Sequence, residues 1–275
     1  MKQVQDQTGN FISIPFPPQR IISLVPSLTE LLFDLVLHDE VIGITKFCVH
    51  PEEWFRNKTR IGGTKQLNLP LIESLKPDLV IASKEENVKE QVEAVQQFCP
   101  VYCSDVSNLQ DSYEVIEHLG FLTDRPAKAQ ELINKIQNSF LELPFITKPI
   151  KATYLIWQEP YMTVGGDTFI NHMMQLAGFE NVFASEQRYP AVTVEELMKR
   201  DVEAVLFSSE PFPFKQKHID AFIQEWMQQN RLQQLPVCKI VDGELFSWYG
   251  SRTLYAPEYF MKLRESLFLS DELTA

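Results

Sequence analysis

The stretch DRPAKAQELINKIQNSFLEL, Asp124 to Leu143, lies near the middle of the 275 residues, and its reading decides the fold. Thr123 or Asp124 is able to cap a helix here, Pro126 suits a first helical turn, and apolar Ala129, Leu132, Ile133, Ile136 and Phe140 recur at helical spacing. At 1.5 Å per residue such a helix is roughly 27 Å long, and Pro144 and Pro149 forbid its continuation. Strands alternate with helices on both sides of it, so the helix reads as a stiff spacer between two lobes. The lobes are expected over residues 1–122 and 146–275, with the connecting helix at 123–145.

Working outward toward the N-terminus, Arg20 to Val25 (RIISLV) is a short β-branched run, followed by Pro26 and a capping box, Ser27 with Glu30, that opens a helix. VIGIT (41–45), DLVIAS (78–83) and VYCS (101–104) are further strands, with helices in LIESLK and EENVKEQVEAVQQF. Another helix is capped by Ser107 and Gln110 and ended by Gly120. Toward the C-terminus the same grammar returns. ATYLIW (152–157), EAVLFS (203–208) and Lys239 to Asp242 are strands. Asp167 caps one helix that Gly178 ends, Thr193 with Glu196 is a second capping box, and a closing helix runs from Pro257 to Leu267. Strand–helix alternation of this kind predicts an α/β fold in which each doubly wound lobe has a mostly parallel sheet covered on both faces.

Composition narrows the function classes. With 44% hydrophobic and 23% charged residues the chain is an ordinary globular protein, large enough for two modest cores. Its 25 basic and 37 acidic side chains leave a formal charge of -12, which argues against nucleic acid as a partner. No apolar run approaches the roughly 18 residues of a membrane span. Cys48, Cys99, Cys103 and Cys238 form no CxxC pair, and the five histidines form no HxH or HxxxH pair, so no fixed metal ion is expected. There is no GxSxG elbow and no phosphate-cradling glycine loop, and catalysis is not expected.

Parallel sheets bind ligands outside the carboxyl ends of their strands. The loops leaving those ends contain Pro26 and Ser27; Phe47, Cys48 and His50; Lys84, Glu85, Glu86 and Asn87; Tyr161 and Met162; Phe212 and Phe214; and Trp248, Tyr249 and Arg252. With Trp157 these loops concentrate aromatic side chains. Loops from both lobes would form a cleft suited to a large, flat or partly apolar ligand, held by stacking and oriented by Arg252, Glu85 and Glu86. Cys48 and His50, two apart on an extended segment, would face the same side.

The segments RIISLVPSLTELLFDL, VIGITKFCVHP, IGGTKQLNLPLIESLKPDLVIAS and VTVEELMKRDVEAVLFSS, taken in this order, resemble the ABC-importer solute-binding proteins of the helical-backbone metal receptor type. That group includes the vitamin B12, haem and ferric-siderophore receptors, and the resemblance is closest to the vitamin B12 branch. It implies a class III periplasmic-binding-protein-like fold: two α/β lobes, one backbone helix, a ligand in the cleft and little hinge motion. Carried over by position, the ligand-lining residues would be Pro26, Ser27, Phe47 to His50, Thr64, Lys84 to Asn87, Tyr161 or Met162, Tyr189, and Trp248 to Arg252.

Thr64 stands where the B12 receptors present a tryptophan to the corrin, and Val36 replaces a glycine after the first helix. One surface glutamate per lobe docks the transporter in this family. Glu195 matches that position in the second lobe; Pro70 matches it in the first, with Glu73 one turn on as substitute. The implied function is the substrate-binding component of an ABC importer, a non-enzymatic monomer with no permanently bound cofactor. It would work in the periplasm or outside the cytoplasm, and its partners would be a corrinoid or iron compound (cobalamin, haem or ferric siderophore) and a permease. The residues before Arg20 show no export signal, so the alternative is a cytoplasmic corrinoid- or metal-cofactor-handling protein or enzyme on the same scaffold.

Overall fold

A computed structural model describes residues 1–229 and 234–268. The chain divides into two compact units, one of Met1–Asn138 with Tyr249–Leu254, the other of Ser139–Trp248 and the residues from Tyr255 onward. The sequence reading placed residues 249–254 with the C-terminal lobe; they pack instead with the first unit.

The first unit opens with an antiparallel hairpin, β1 (Lys2–Gln5) and β2 (Phe11–Ile14). There follow β3 (Ile21–Ser23), α1 (Pro26–Asp34), β4 (Val41–Ile44), α2 (Glu52–Asn57), β5 (Thr59–Arg60) and a small hairpin of β6 (Gly62–Gly63) and β7 (Gln66–Leu67). The unit continues through α3 (Leu69–Ser74), β8 (Leu79–Ser83), α4 (Lys89–Gln96), β9 (Val101–Ser104), α5 (Leu109–Leu122) and α6 (Pro126–Leu141). Its main sheet has the order β5-β4-β3-β8-β9 with every pairing parallel. All five residues of β8 are buried, as a strand covered on both faces requires.

The second unit contains β10 (Ile150–Leu155), β11 (Tyr161–Met162), α7 (Phe169–Leu176), β12 (Phe179–Asn181), β13 (Ala191–Val192), α8 (Val194–Lys199) and β14 (Ala204–Ser208). Then come α9 (Gln216–Gln229), β15 (Val237–Val241), α10 (Glu244–Ser247) and, after the segment that belongs to the first unit, α11 (Ala256–Phe268). The parallel sheet runs β12-β10-β14-β15. Leu155, Val205, Phe207, Phe222 and Trp226 build its core. The α/β class with parallel sheets is the one the alternation predicted. In each sheet the chain winds outward in one direction and then crosses to the other. The reversal falls between β3 and β8 in the first unit and between β10 and β14 in the second.

The central helix is there, with Ala129, Ile133 and Ile136 on its buried stripe and a Lys128–Glu131–Lys135 ion-pair row outside. Its expected cap is not. Thr123 Oγ1 turns back to donate to the Leu119 carbonyl of α5, and Asp124 adopts φ 61 as a corner residue between the two helices. Gly120 does not end α5, which runs on to Leu122 from an Asn108 cap rather than from Ser107. A Cβ at Gly120 would stand 2.3 Å from that of Ala129, so this glycine is the point where α5 and α6 pack closest. Thr168, not Asp167, caps α7, while Asp167 accepts from the Arg188 amide. The Thr193–Glu196 capping box is present in full.

Candidate functional site

Four strands of the two parallel sheets end on a buried serine: Ser23, Ser83, Ser104 and Ser208. These hydroxyls mark the carboxyl rims, and each is tied to the loop or helix that follows or covers it. In the first unit the reversal point is closed by Asn87. Its Oδ1 accepts from the Ser83 amide at 2.9 Å, and its Nδ2 donates to the carbonyls of Thr64 at 3.0 Å and Leu24 at 3.5 Å. One buried amide thus ties together the exits of β3 and β8 and the turn of the β6–β7 hairpin.

Helix α1 begins at Pro26, two residues earlier than the sequence reading, and Val25 at its start supplies no side-chain cap. The expected capping box is therefore absent. Ser27 is 1% exposed and its hydroxyl has no hydrogen-bond partner, while Glu30 receives two hydrogen bonds from Arg252, Nε to Oε2 and Nη2 to Oε1, both 2.7 Å. Burial raises the Glu30 carboxyl above its usual range, and the Arg252 guanidinium opposes that rise. The segment bearing Arg252 is held at two more points. The Tyr249 hydroxyl is 2.9 Å from Ser104 Oγ, and the Gly250 amide donates to Ser112 Oγ at 3.0 Å.

The loop after β4 is a turn rather than an extended segment, with Cys48 N donating to the Thr45 carbonyl and Val49 N to that of Phe47. Cys48 and His50 consequently do not share a face. Cys48 is fully buried, its sulfur 3.1 Å from the hydroxyls of both Thr29 and Thr45, and burial pushes its thiol up to about 11. His50 is half-buried on the Glu30 side of the loop. Phe47, 51% exposed, lies against Gly63, where a Cβ would come within 3.1 Å of its ring. Lys84 pairs with Asp105, and Lys65 Nζ donates to the Glu85 carbonyl at 3.1 Å. Glu85 and Glu86 precede α4 by several residues, in the turn after β8, and are half-buried. Thr64 is half-buried in the hairpin turn beside them.

In the second unit, Trp157 leaves β10 with 42% of its surface exposed and meets Phe212 edge-on at 5.6 Å between ring centres. Phe212 packs in turn on Phe214 and His218, and Phe214 is buried in the core. Tyr161 and Met162 are half-buried on β11, paired with β13. Tyr161 packs on Phe222, and burial pushes its hydroxyl up to about 12. Tyr189 is half-buried with the Arg188 guanidinium 5.5 Å from its ring centre. Trp248 is 8% exposed, and its Nε1 donates to Glu210 Oε1 at 2.8 Å, an oxygen that also accepts from Ser247 Oγ. Burial raises the Glu210 carboxyl, with Glu244 and Asp242 adding to the rise.

The candidate residues thus divide into surface and scaffold. Phe47, His50, Thr64, Lys84, Glu85 and Glu86 on the first rim, and Trp157, Tyr161, Met162, Tyr189 and Phe212 on the second, present surface to solvent. Pro26, Ser27, Cys48, Asn87, Trp248 and Tyr249 are buried, and Arg252 is committed to Glu30. Sequence reasoning missed Glu30, Ser104, Ser112 and Glu210 as structural partners. Strand-terminal serine was the available signal for Ser104; nothing local connects Glu30 to an arginine 222 residues away. Among the described residues no cluster of three or more His, Cys, Asp or Glu side chains is arranged to hold a metal ion.

Comparison with known proteins gives one coherent picture. The periplasmic binding protein family profile matches residues 21–239. A vitamin B12-binding protein of Vibrio parahaemolyticus is 31% identical over 198 residues, covering 70% of this chain and 71% of that protein. An ABC transporter substrate-binding lipoprotein of Bacillus subtilis, YvrC, is 26% identical over 277 residues, covering 96% of this chain and 85% of its own length. The crystal structure of the periplasmic vitamin B12-binding protein of Vibrio cholerae superposes with a TM-score of 0.70 at 23% identity, covering 90% of this chain and 96% of that one. The alternative of a cytoplasmic cofactor-handling protein or enzyme finds no support among these relatives.

Proposed function

Because the chain belongs to the periplasmic binding protein family, we propose that it is the substrate-binding component of an ABC importer and that its ligand is a corrinoid or an iron compound such as haem or a ferric siderophore. It performs no chemistry and carries no resident cofactor; the corrinoid or iron compound is cargo. It works outside the cytoplasm and hands the ligand to a permease. The observation that carries the ligand class is the 31% identity to a protein named for binding vitamin B12. The exposed aromatic surface supports it, because Phe47 and Trp157 stand at carboxyl rims where a flat, partly apolar molecule gains area and stacking. Capture at micromolar concentration needs about 8 kcal/mol. A few buried aromatic faces at roughly 25 cal/mol per Å² supply a large part of it.

Trp157 makes the test direct. Trp54, Trp226 and Trp248 are buried and Trp157 is the exposed indole, so quenching of intrinsic fluorescence reports on its rim. Titration with cyanocobalamin, haemin and a ferric hydroxamate should give saturable quenching with at least one. Flat titrations with all three would remove the ligand assignment.

Glu73 on α3 and Glu195 on α8 are both exposed, and we infer that they meet cationic groups of the permease. Glu195 is at present paired with Lys199 at 2.7 Å, a pair accessible enough to exchange partners at little cost. Reversing both charges should abolish stimulation of the permease's ATPase while leaving ligand titrations unchanged.

A further inference from the structure

The segment Tyr249–Leu254 is entered from Trp248 and left through Tyr255, both counted in the second unit, yet it groups with the first. Three first-unit elements hold it: the end of β9 through Ser104, α5 through Ser112, and α1 through Glu30. Gly250 has φ +95, and a Cβ there would stand 3.4 Å from that of Leu31, so the backbone lies directly on α1. Thr253 closes the turn by donating from its hydroxyl to the Gly250 carbonyl at 2.6 Å. The Glu30–Arg252 contact is the charged one of the three and has the bidentate geometry that fixes direction as well as distance. Both side chains are only 16% exposed.

We propose that Glu30 and Arg252 are positioning residues: they clip Tyr249–Leu254 onto the carboxyl rim of the first unit, and ligand affinity depends on the clip although neither side chain contacts the ligand. The arginine's five donors and fixed fork explain why it occupies this place, since a lysine could not reproduce two parallel bonds to one carboxylate. Held in this way, Tyr249 covers the ends of β8 and β9 and sets the floor next to the turn carrying Glu85 and Glu86. A released segment would uncover that floor and disorder the turn. The affinity half of the proposal rests on the ligand reading given above; the clip itself does not.

The test combines two measurements on the full chain: calorimetric titration with cyanocobalamin, haemin and a ferric hydroxamate, and hydrogen exchange of the amides of residues 249–254. The variants are Glu30→Ala, Glu30→Gln, Arg252→Ala, the double alanine variant and the exchange Glu30→Arg with Arg252→Glu. A clip predicts that each single alanine change weakens binding by a similar factor, on the order of tenfold, that the double variant is no worse, and that the exchange regains most of the loss. Amide protection should fall and return in the same order, with Glu30→Gln intermediate and available if an alanine variant does not fold. Loss of affinity in Arg252→Ala with intact protection, or an unaffected Glu30→Ala, would overturn the proposal by making Arg252 a direct ligand contact or a bystander. Should the wild type bind none of the three probes, the ligand reading fails, and protection alone decides the clip: loss in both single variants upholds it and retention overturns it.

Discussion

The two reversal points obey one topological rule and end in opposite surfaces. Between β3 and β8 the rim is sealed by the protein's own polar groups: Asn87 bridges the strand exits, Tyr249 covers Ser104, and the Glu30–Arg252 pair locks the covering segment. Between β10 and β14, Ser208 accepts from Tyr154 and Glu210 accepts from Trp248, while Trp157 and Phe212 are left partly in solvent. At the reversal points themselves, polar geometry dominates the first and apolar area the second. Directional contacts fail steeply when displaced, whereas exposed aromatic faces contribute in proportion to what they cover.

The largest effect should come from breaking the sealed rim. Arg252→Ala leaves a carboxylate in a poorly hydrated position with its partner gone, and losing half of such a pair costs about 3 kcal/mol at this degree of burial. Denaturant midpoints measure this, and a cost below about 0.5 kcal/mol would class the pair with ordinary surface ion pairs. Next in size is Trp157→Ala on the open rim. It should weaken the binding of whichever probe binds by roughly tenfold, the value of one aromatic contact, and lower stability only by the roughly 1 kcal/mol of its edge contact with Phe212. A folded variant with undiminished affinity would move the ligand away from this rim.

Much of this was legible in the sequence, for identifiable reasons. The strands and the central helix follow from periodicity over long runs, and the rim loops follow from the rule that strands in parallel sheets point their carboxyl ends at ligands. What was not legible is which rim residues face outward. Cys48 and Tyr249 look like site residues in the chain and are scaffold in the fold, because a turn at Thr45–Cys48 rotates one inward and Ser104 fixes the other. The caps misread for the same cause. Ser27 with Glu30 fits a capping box perfectly as a string, but Pro26 starts the helix two residues earlier and Arg252, far along the chain, takes the carboxylate. Local pattern fixes element type; tertiary partners decide what each polar side chain does.

Glu210 makes the second rim sensitive to pH. Its carboxyl is raised by burial and by Glu244 and Asp242, so the folded protein holds that proton to higher pH than the unfolded chain does. The favourable contribution is complete below about 4.5, the unfolded value, and is lost as pH climbs through the folded one. Glu210→Gln keeps an oxygen that accepts from Trp248 and Ser247 but cannot ionise, so its melting temperature relative to wild type should increase from pH 4.5 toward 7. A gap that stays constant across that range would mean the group does not titrate in the native protein.

The smallest effect is a control at the far end of α1 from the sealed rim. Val36 occupies the position after the helix cap with φ 63, and the carbonyls of Phe33 and Leu32 accept from the amides of Val36 and Leu37 in the bonding pattern of a glycine-terminated helix. A β-branched residue in this conformation costs about 1–2 kcal/mol, and its side chain, 45% exposed, returns little by packing. Leu37, buried two residues past the helix, is the contact that holds the turn. Val36→Gly should relieve the strain and give back part of the gain as added entropy of the unfolded chain, for a net stabilisation of roughly 0.5–1 kcal/mol. Ligand affinity should not change. If it rose along with stability, the rim would be responding to the firmness of α1 as a whole, and the local clip at Glu30 would lose its special standing; if only stability rose, the two ends of this helix are independent and the clip acts where it sits.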